Sequence, residues 1–305
     1  MTSEMKRRGF LKAAGAAIVA GTELARAAGG ADFSSENEAA SANAPRLFAG
    51  CCAYSYRKYL GGGSMTMEDF IRKGVELEVN GVDMTGYWFK SMEPAYLASL
   101  RHLAFKNGIG FSGAATGASA VQADAGKRAE VLEEIKKWVD ATELLGAPHL
   151  RVFAGKLPEG ATTSQGIDWT VEVLKPASEY AGEKGITLGI EDHDGITQTA
   201  ETCLEILRRI DSPFVGINLD ITHFLPTTTA YAQIEATIPY ATHTHIREMF
   251  DDGQPIDLDR VWQLFAKGGY KGYMSAEYEG KEEPAAGVPK LIEKIRTLCR
   301  KYSSV

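Results

Sequence analysis

The feature that most constrains this chain is an eightfold alternation of short apolar segments with amphipathic helical patterns, which begins at Arg46. The apolar segments have the length of strands, and glycine or polar residues bound most of them. The predicted strands are Leu47–Tyr54, Gly81–Thr85, Gly110–Ala114, Leu150–Ala154, Thr187–Glu191, Val215–Asp220, Ala241–Ile246 and Tyr273–Glu277. The helical patterns between them include Glu68–Glu78, Lys127–Leu145, Trp169–Glu183, Ala200–Ile210 and Leu258–Lys267.

Eight strand–helix units in about 255 residues match a (β/α)8 (TIM) barrel in number and size. Glycines follow several predicted helices, at Gly108, Gly146, Gly185 and Gly268, as is typical of helix C-termini. A doubly wound open sheet is the alternative, but no GxGxxG motif follows the first strand. We therefore predict an α/β fold in which residues 46–305 form a single-domain barrel.

Acidic and imidazole side chains collect at the carboxyl ends of the last four predicted strands, where (β/α)8 barrels carry their active sites. Side chains alternate in direction along a strand, so only one set of these groups points into the barrel. The inward set consists of Glu191, Asp220, His245 and Glu277. We therefore expect four successive strands to bring one candidate ligand each to the same opening.

These four side chains form an oxygen-rich donor set that predicts one divalent metal ion, Mn²⁺ first, with Mg²⁺, Co²⁺ or Zn²⁺ as alternatives. A single carboxylate at a strand end is more often solvated, and a lone strand histidine is more often a hydrogen-bonded core residue. The convergence of four groups favours a metal, because like charges placed together require a cation or raised pKa values.

The first residues carry a targeting pattern. Lys6-Arg7-Arg8-Gly9-Phe10-Leu11-Lys12 resembles a twin-arginine export signal, and Ala25-Arg26-Ala27 is a small-x-small cleavage site. We predict a signal peptide over residues 1–27 and a flexible lead-in over residues 28–45. The twin-arginine machinery would then export the protein to the periplasm or out of the cell. A basic N-terminal helix is the alternative interpretation.

Composition excludes other classes of protein. The net charge is −7, and removal of residues 1–27 would make it −10, so we expect no nucleic-acid partner. No apolar run reaches the roughly 18 residues that a membrane span needs. Cys51, Cys52, Cys203 and Cys299 lack CxxC spacing and are expected to be buried and unpaired. The sequence leaves open whether the chain forms a homo-oligomer.

Motifs over about residues 46–302 resemble the xylose isomerase-like barrel superfamily, also known as the sugar phosphate isomerase/epimerase family. The motifs are Gly-Ile-Glu191-Asp-His, Asp220-x-x-His223, His245-Ile-Arg-Glu248 and Gly269-Tyr-x-Gly-Tyr-x-Ser-x-Glu277. That family includes ketose epimerases, inosose isomerases and dehydratases. The resemblance implies that Glu191, Asp220, His245 and Glu277 bind one divalent ion and that His223 lies beside the substrate.

The resemblance also implies that Glu191 and Glu277 transfer protons through an enediolate, as in an isomerase or epimerase. The same enolate can expel a β-leaving group, so a lyase, dehydratase or hydratase acting on a keto-sugar or keto-glycoside is an alternative. An exported sugar-binding protein without catalysis is a further alternative. Asp192-His193 stands where many relatives have Asn-His, and the position of Arg247 holds other residues in many relatives; these departures leave the substrate open.

Candidate substrate-binding residues surround the predicted metal site. They are His223, His193, Arg247, Glu248 and Tyr54. Glu248 would either hold His245 or bind a hydroxyl. Aromatic residues near the opening either cover sugar C–H groups or belong to the core, namely Tyr54, Tyr56, Tyr87, Trp88, Phe89 and Phe224.

Two basic residues flank the fourth predicted strand. Arg151 and Lys156 either bind an anion or form structural salt bridges. Phosphorylated sugars are kept in the cytoplasm, and the chain carries a predicted export signal. We therefore expect an unphosphorylated sugar, cyclitol or keto-glycoside as the carbohydrate substrate.

Overall fold

The computed structural model describes residues 44–303. Its strands form a closed parallel barrel in the order β1 to β8, and β8 pairs with β1. The strands are β1 (Arg46–Cys52), β2 (Gly81–Thr85), β3 (Gly110–Ser119), β4 (His149–Phe153), β5 (Thr187–Glu191), β6 (Val215–Asp220), β7 (Ala241–Ile246) and β8 (Lys271–Ala276). The helices are α1 (Arg57–Gly61), α2 (Met67–Glu76), α3 (Pro94–Lys106), α4 (Ala125–Leu145), α5 (Thr163–Glu183), α6 (Ala200–Ile210), α7 (Ala230–Thr237), α8 (Leu258–Lys267) and α9 (Pro284–Tyr302).

The strands are buried on both faces, because helices cover the outside of the barrel and side chains fill its interior. All five residues of β2 are buried, for example. The closure between β1 and β8 pairs Gly50 with Ser275, and a Cβ at Gly50 would lie 2.3 Å from Ser275 Oγ. The absence of a side chain at Gly50 therefore lets the first and last strands approach closely.

Capping boxes fix where two helices begin. The Thr66 hydroxyl accepts the Asp69 N–H, and the Asp69 carboxylate accepts the Thr66 N–H, at the start of α2. Thr162 and Gln165 make the same pair of bonds at the start of α5. These bonds satisfy backbone groups that have no partner within the helix. The loops that follow β1 and β4 therefore end at defined residues.

The predicted (β/α)8 barrel is confirmed, and closure of the sheet excludes the open-sheet alternative. The bounds of β2, β5, β6 and β7 agree with the prediction. The first strand ends at Cys52, where a 3-10 turn (Ala53–Tyr56) begins, and β3 continues to Ser119. The last strand ends at Ala276, so Glu277 is the first residue beyond it.

The predicted signal peptide (residues 1–27) and all but the last two residues of the predicted lead-in (residues 28–45) lie outside the described residues. Within residues 44–303 no helix is long and apolar enough to cross a membrane. The four cysteines are buried and free, as predicted.

Candidate metal and substrate site

Four neighbouring strands each bring one candidate ligand to the same end of the barrel. Glu191 ends β5, Asp220 ends β6, His245 is the penultimate residue of β7, and Glu277 follows β8. One ligand atom from each lies within 4.8 Å of the others, and all four side chains are buried. The structure therefore brings together the four residues that the sequence singled out.

His245 stands among three acidic side chains, two at Nδ1 and one at Nε2. Its Nδ1 lies 2.7 Å from Glu191 Oε1 and 3.4 Å from Glu277 Oε1, while its Nε2 lies 2.9 Å from Asp83 Oδ2. Burial disfavours a charged imidazole, but Glu277 and other anionic neighbours hold the pKa of His245 well above its usual value. With Asp83 accepting at Nε2, Nδ1 is the nitrogen that faces the candidate metal site.

Only one carboxylate oxygen of Asp220 accepts hydrogen bonds from the described residues. Its Oδ1 accepts hydrogen bonds from the Thr222 backbone N–H (2.9 Å) and hydroxyl (2.6 Å). Its Oδ2 is buried without a hydrogen-bond partner among the described residues, 3.4 Å from His223 Nε2 and from Arg247 Nη2. These two side chains lie at ion-pair distance but leave Oδ2 without a hydrogen bond, so the oxygen can take a metal ion, and the donor set fits a divalent ion with oxygen and nitrogen ligands.

The two glutamates occupy different electrostatic environments. Burial opposes ionisation of Glu191, but the Arg151 guanidinium and then His245 outweigh it and lower the pKa of Glu191 to about 2. Arg151 Nε lies 3.4 Å from Glu191 Oε2. Burial raises the pKa of Glu277 to about 7, and the charges of Asp220 and Glu191 act in the same direction. Two carboxyl groups at one site thus differ in proton affinity.

Asp192 has a structural role beside the ligands. Its Oδ1 accepts the Asp220 backbone N–H at 2.7 Å, and the side chain is fully buried. Burial, and then the charge of Asp220, raise the pKa of Asp192 well above its usual value. The low-dielectric surroundings thus favour the protonated, neutral form of this carboxyl group.

A cavity of about 390 Å³ lies above the cluster. Both glutamates line this central cavity, and so do four of the five predicted substrate-binding residues. Its lining consists of Tyr54, Tyr87, Arg151, Phe153, Glu191, His193, His223, Arg247, Glu277 and Glu279. The structure thus places proton-transferring groups and hydrogen-bonding groups around one space large enough for a small ligand.

His223 is held by charged neighbours on two sides. Its Nδ1 lies 2.6 Å from Asp251 Oδ2, and Arg247 Nη2 lies 3.0 Å from its Nε2. Burial disfavours the charged ring, but Asp220 and Asp251 outweigh it and raise the pKa of His223 to about 9. The ring centroid of His193 lies 4.4 Å from that of His223. This pair of imidazoles forms one wall of the central cavity.

The fifth predicted substrate-binding residue lies elsewhere. Glu248 pairs with Lys294 of α9 and does not line the central cavity. The described partners of His245 do not include it, so the suggestion that Glu248 holds His245 is wrong. Glu248 lies two residues beyond the end of β7, where the chain has left the strand and directs this side chain towards α9.

The predicted aromatic residues divide between the cavity and the core. Tyr54 and Tyr87 line the central cavity, whereas Tyr56 and Phe224 are buried in the hydrophobic core. Trp88 and Phe89 pack against that core. Arg151 and Lys156 form ion pairs, with Glu191 and Asp194 respectively.

Sequence reasoning missed several residues that contact the cluster or its supports, among them Asp83 and Ser55. Asp83 in β2 binds His245, and Ser55 in the 3-10 turn binds the backbone on both sides of Glu277. An aspartate inside the otherwise apolar strand Gly-Val-Asp-Met-Thr was the available signal for Asp83. No comparable signal marks Ser55, because serine is common in turns.

The fold and this cluster define a (β/α)8 barrel with a carboxylate–imidazole site at the carboxyl ends of its strands. The chain belongs to the xylose isomerase-like TIM barrel family, whose model matches residues 71–298.

Individual relatives are distant. The chain is 24% identical over 180 residues to a putative hydroxypyruvate isomerase of Mus musculus, a match that covers 53% of this chain and 65% of the mouse protein. The chain therefore spans just under two thirds of the length of the curated relatives it matches.

Solved structures show the same fold at low sequence identity. D-psicose 3-epimerase from Clostridium cellulolyticum H10, solved with D-tagatose, superposes with a TM-score of 0.70 at 14% identity, covering 84% of this chain and 99% of that one. The IOLI protein, solved with a bound zinc atom, gives a TM-score of 0.69 at 16% identity over 85% of this chain and 100% of its own.

Proposed function

We propose that this protein is a divalent-metal-dependent isomerase or epimerase that moves a proton beside the carbonyl of an unphosphorylated sugar, cyclitol or keto-glycoside. The cluster of Glu191, Asp220, His245 and Glu277 carries the proposal, since their ligand atoms lie within 4.8 Å of one another below the central cavity. The likeness to an epimerase solved with D-tagatose and to a putative hydroxypyruvate isomerase supports it.

These four residues would hold the ion, and a divalent ion bound there would polarise the substrate carbonyl as a Lewis acid. Glu191 and Glu277 line the central cavity from strands that are separated by two others around the rim. One carboxylate removes the proton from the carbon beside the carbonyl, and the other carboxyl group returns a proton. The transfer inverts a carbon or moves the carbonyl, according to which atom receives the proton.

Other residues of the central cavity orient the sugar. His223, His193, Arg247 and Tyr54 present N–H or O–H groups that can bind substrate oxygens. Tyr87 and Phe153 present aromatic rings, which can cover C–H groups of the sugar. Polar groups beside flat apolar surfaces suit a polyhydroxylated ring.

The charge of the central cavity favours a substrate without phosphate. Of the two guanidinium groups that line it, Arg151 pairs with Glu191, and Arg247 pairs with Asp220, Asp251 and Glu279. Neither is left unpaired to bind a dianion, and three glutamates line the same space. A phosphate would therefore have to compete with these carboxylates for the guanidinium groups, whereas neutral hydroxyls need not.

A dehydratase or other lyase is the second candidate, and the His223–Asp251 pair favours it. His223 borders the central cavity and is held by Asp251 at 2.6 Å. After a glutamate removes the proton beside the carbonyl, a protonated His223 could donate its proton to a β-hydroxyl, which would leave as water.

Exchange of a substrate hydrogen for deuterium from the solvent tests the proposal. We would incubate the Mn²⁺-loaded protein in heavy water with unphosphorylated ketoses, inosose and keto-glycosides, and follow proton NMR spectra. Deuterium should enter the carbon beside the carbonyl, and Glu277→Gln should abolish this exchange. Glu282→Gln is the matched control, because Glu282 pairs with Lys290 outside the central cavity. The products then separate an isomerase or epimerase from a lyase.

Two outcomes contradict the proposal. Sugar binding without any exchange in the wild-type protein would make the chain a binding protein. Exchange that survives in both Glu191→Gln and Glu277→Gln would remove the two glutamates from the chemistry.

We also propose export by the twin-arginine route, on the strength of Arg7-Arg8 and the sequence that follows them. Replacement of both by lysine should keep the full-length protein inside the cell. Arg26→Lys is the control, and immunoblots of cell fractions measure the result. Unchanged export of the double variant would contradict this route.

A further inference from the structure

The Glu279 carboxylate lies between two arginines at the edge of the central cavity. Its Oε1 accepts a hydrogen bond from Arg247 Nη1 at 2.7 Å, and its Oε2 lies 3.2 Å from Arg57 Nη2. Glu279 and Arg247 both line the central cavity, and Arg57 reaches the carboxylate from the start of α1. One acidic side chain of the loop after β8 thus joins two guanidinium groups from two other loops.

Arg57 is held in place by backbone groups as well as by Glu279. Its Nη1 donates to the Tyr278 carbonyl at 2.8 Å and to the Tyr54 carbonyl at 3.3 Å. Its guanidinium carbon lies 4.9 Å from the centre of the Tyr54 ring. Among the described residues, the ion-pair partner of Nη2 is Glu279. The contacts of Nη1 therefore orient Nη2 towards the position of the Glu279 carboxylate.

Arg247, just beyond β7, is held in a similar way. Its Nη2 lies 3.0 Å from His223 Nε2 and 3.2 Å from Oδ1 of Asp251. Asp251 belongs to a short antiparallel hairpin that follows β7. The hydrogen-bond partner of Nη1 among the described residues is Glu279. Each arginine thus uses one terminal nitrogen for other contacts and directs the second at the same carboxylate.

The two guanidinium groups form a binding position for an oxyanion, and the protein's own carboxylate fills it. Guanidinium groups pair well with carboxylate, sulfate and phosphate, because their N–H groups match the spacing of the oxygens. Without Glu279, Arg57 Nη2 and Arg247 Nη1 would offer donors to an anion in the central cavity. With Glu279 in place, an anionic group on a ligand has to displace a carboxylate from two ion pairs.

We infer that Glu279 is a specificity-determining residue, which occupies an anion site built by Arg57 and Arg247 and so excludes sugars that carry a phosphate or carboxylate group. This inference rests on the proposed function, and it names the residue that restricts the proposed substrates to uncharged sugars, cyclitols and keto-glycosides. A relative with the same two arginines and no acidic residue here would accept an anionic sugar.

Titration with sulfate, a tetrahedral dianion like a phosphate group, tests the anion site without any sugar. In isothermal titration of the Mn²⁺-loaded proteins, Glu279→Ala should bind sulfate about tenfold more tightly than the wild type. Glu279→Gln should gain less, because the amide loses the charge but still occupies the space. Adding Arg57→Gln to Glu279→Ala should remove the gain, because one of the two donors is then lost.

Glu283→Ala is the matched control for the loss of negative charge. Glu283 follows Glu279 in the loop before α9, pairs with Lys58 of α1 and does not line the central cavity. Its sulfate affinity should stay within about twofold of the wild type, because exposed charges are well screened. Equal gains in the two alanine variants would reduce the effect to net charge and overturn the inference. The absence of any gain in Glu279→Ala would overturn it too.

The exchange assay separates this inference from the proposed function. A sulfate gain that requires Arg57 supports the anion site, even if no sugar takes up deuterium and the proposed function fails. If the wild type exchanges phosphorylated ketoses as fast as the free ketoses, exclusion by Glu279 is overturned while the proposed proton transfer stands. Exchange of phosphorylated ketoses by Glu279→Ala alone would support both.

Discussion

Asp83 Oδ2 lies 2.9 Å from Nε2 of His245, on the opposite side of the ring from Glu191. Both side chains of the pair are buried. Because a carboxylate can only accept, Nε2 donates to Asp83, so Nδ1 is the nitrogen that would bind a metal ion after losing its proton. A carboxylate behind a ligand histidine fixes the orientation of the ring and raises its basicity.

Asp83→Asn should therefore weaken binding of Mn²⁺ about 10–100-fold. The variant keeps the volume of the side chain but loses the charge that holds the ring. Isothermal titration of the metal-free protein with Mn²⁺ measures the change.

Asp192→Asn is the matched control for that substitution. Asp192 is also fully buried, burial raises its pKa, and an amide oxygen can still accept the Asp220 N–H. Its affinity for Mn²⁺ should remain close to that of the wild type. If both variants lose Mn²⁺ affinity equally, any change in a buried carboxylate disturbs the site, and Asp83 has no particular role.

The four candidate ligands were predictable because a barrel brings the carboxyl ends of its strands to one opening. Once Glu191, Asp220 and His245 are assigned to strand ends, period-two alternation settles which side chains point inward. The eightfold alternation likewise predicted the barrel. Neither the ligands nor the barrel required knowledge of which distant segments of the chain contact each other.

Contacts between distant segments were the part that could not be predicted. Asp83 meets His245 across 162 positions of sequence, and the contact depends on the register with which the barrel closes. Glu248 was misplaced because the hairpin after β7 redirects the chain towards α9. Tyr56 and Phe224 belong to the core. In the sequence, an aromatic residue near a strand end looks the same whether it lines the cavity or packs in the core.

Ser55 fixes the backbone around Glu277. Its fully buried hydroxyl donates to the Ala276 carbonyl at 2.9 Å and accepts the Tyr278 N–H at 2.8 Å. Ser55→Ala should leave both backbone groups without these partners and lower the free energy of unfolding by about 1–3 kcal/mol. Because Glu277 lies between those two residues, the rate at which the substrate takes up deuterium should fall as well.

Urea denaturation and the exchange assay measure the two effects of Ser55→Ala. Ser99→Ala is the control, since that hydroxyl bonds the Tyr96 carbonyl on the exposed side of α3. It should change stability by less than about 0.5 kcal/mol. Full exchange activity in Ser55→Ala would argue against a role in positioning Glu277.

Metal binding should stabilise the folded protein. Three buried carboxyl groups converge at the cluster, and a cation relieves their mutual repulsion. At a free Mn²⁺ concentration of 100 times Kd, binding adds about 2.7 kcal/mol to the free energy of unfolding. The midpoint of thermal unfolding should then rise by about 5–10 °C relative to protein with EDTA. Asp220→Asn should lose most of that rise, and an equal rise in this variant would place the binding site elsewhere.

The stability of the metal-free protein should depend on pH through Glu277. A glutamate in the unfolded chain titrates near pH 4.5, whereas burial raises the pKa of Glu277 to about 7. Between these values the folded protein holds a proton that the unfolded chain has released, so this group's contribution to stability decreases as pH rises. The decrease begins near pH 4.5 and levels off above about pH 7.

Glu277→Gln isolates this effect, because glutamine does not titrate. The free energy of unfolding of the wild type, minus that of Glu277→Gln, should fall by an amount on the order of 3 kcal/mol between pH 4.5 and 7. Urea denaturation of the metal-free proteins at intervals of half a pH unit measures the difference. Saturating Mn²⁺ should remove the slope, because a cation at the cluster favours the ionised carboxylate. A difference that stays constant, or that grows with pH, would mean that Glu277 is ionised in the folded protein without the metal.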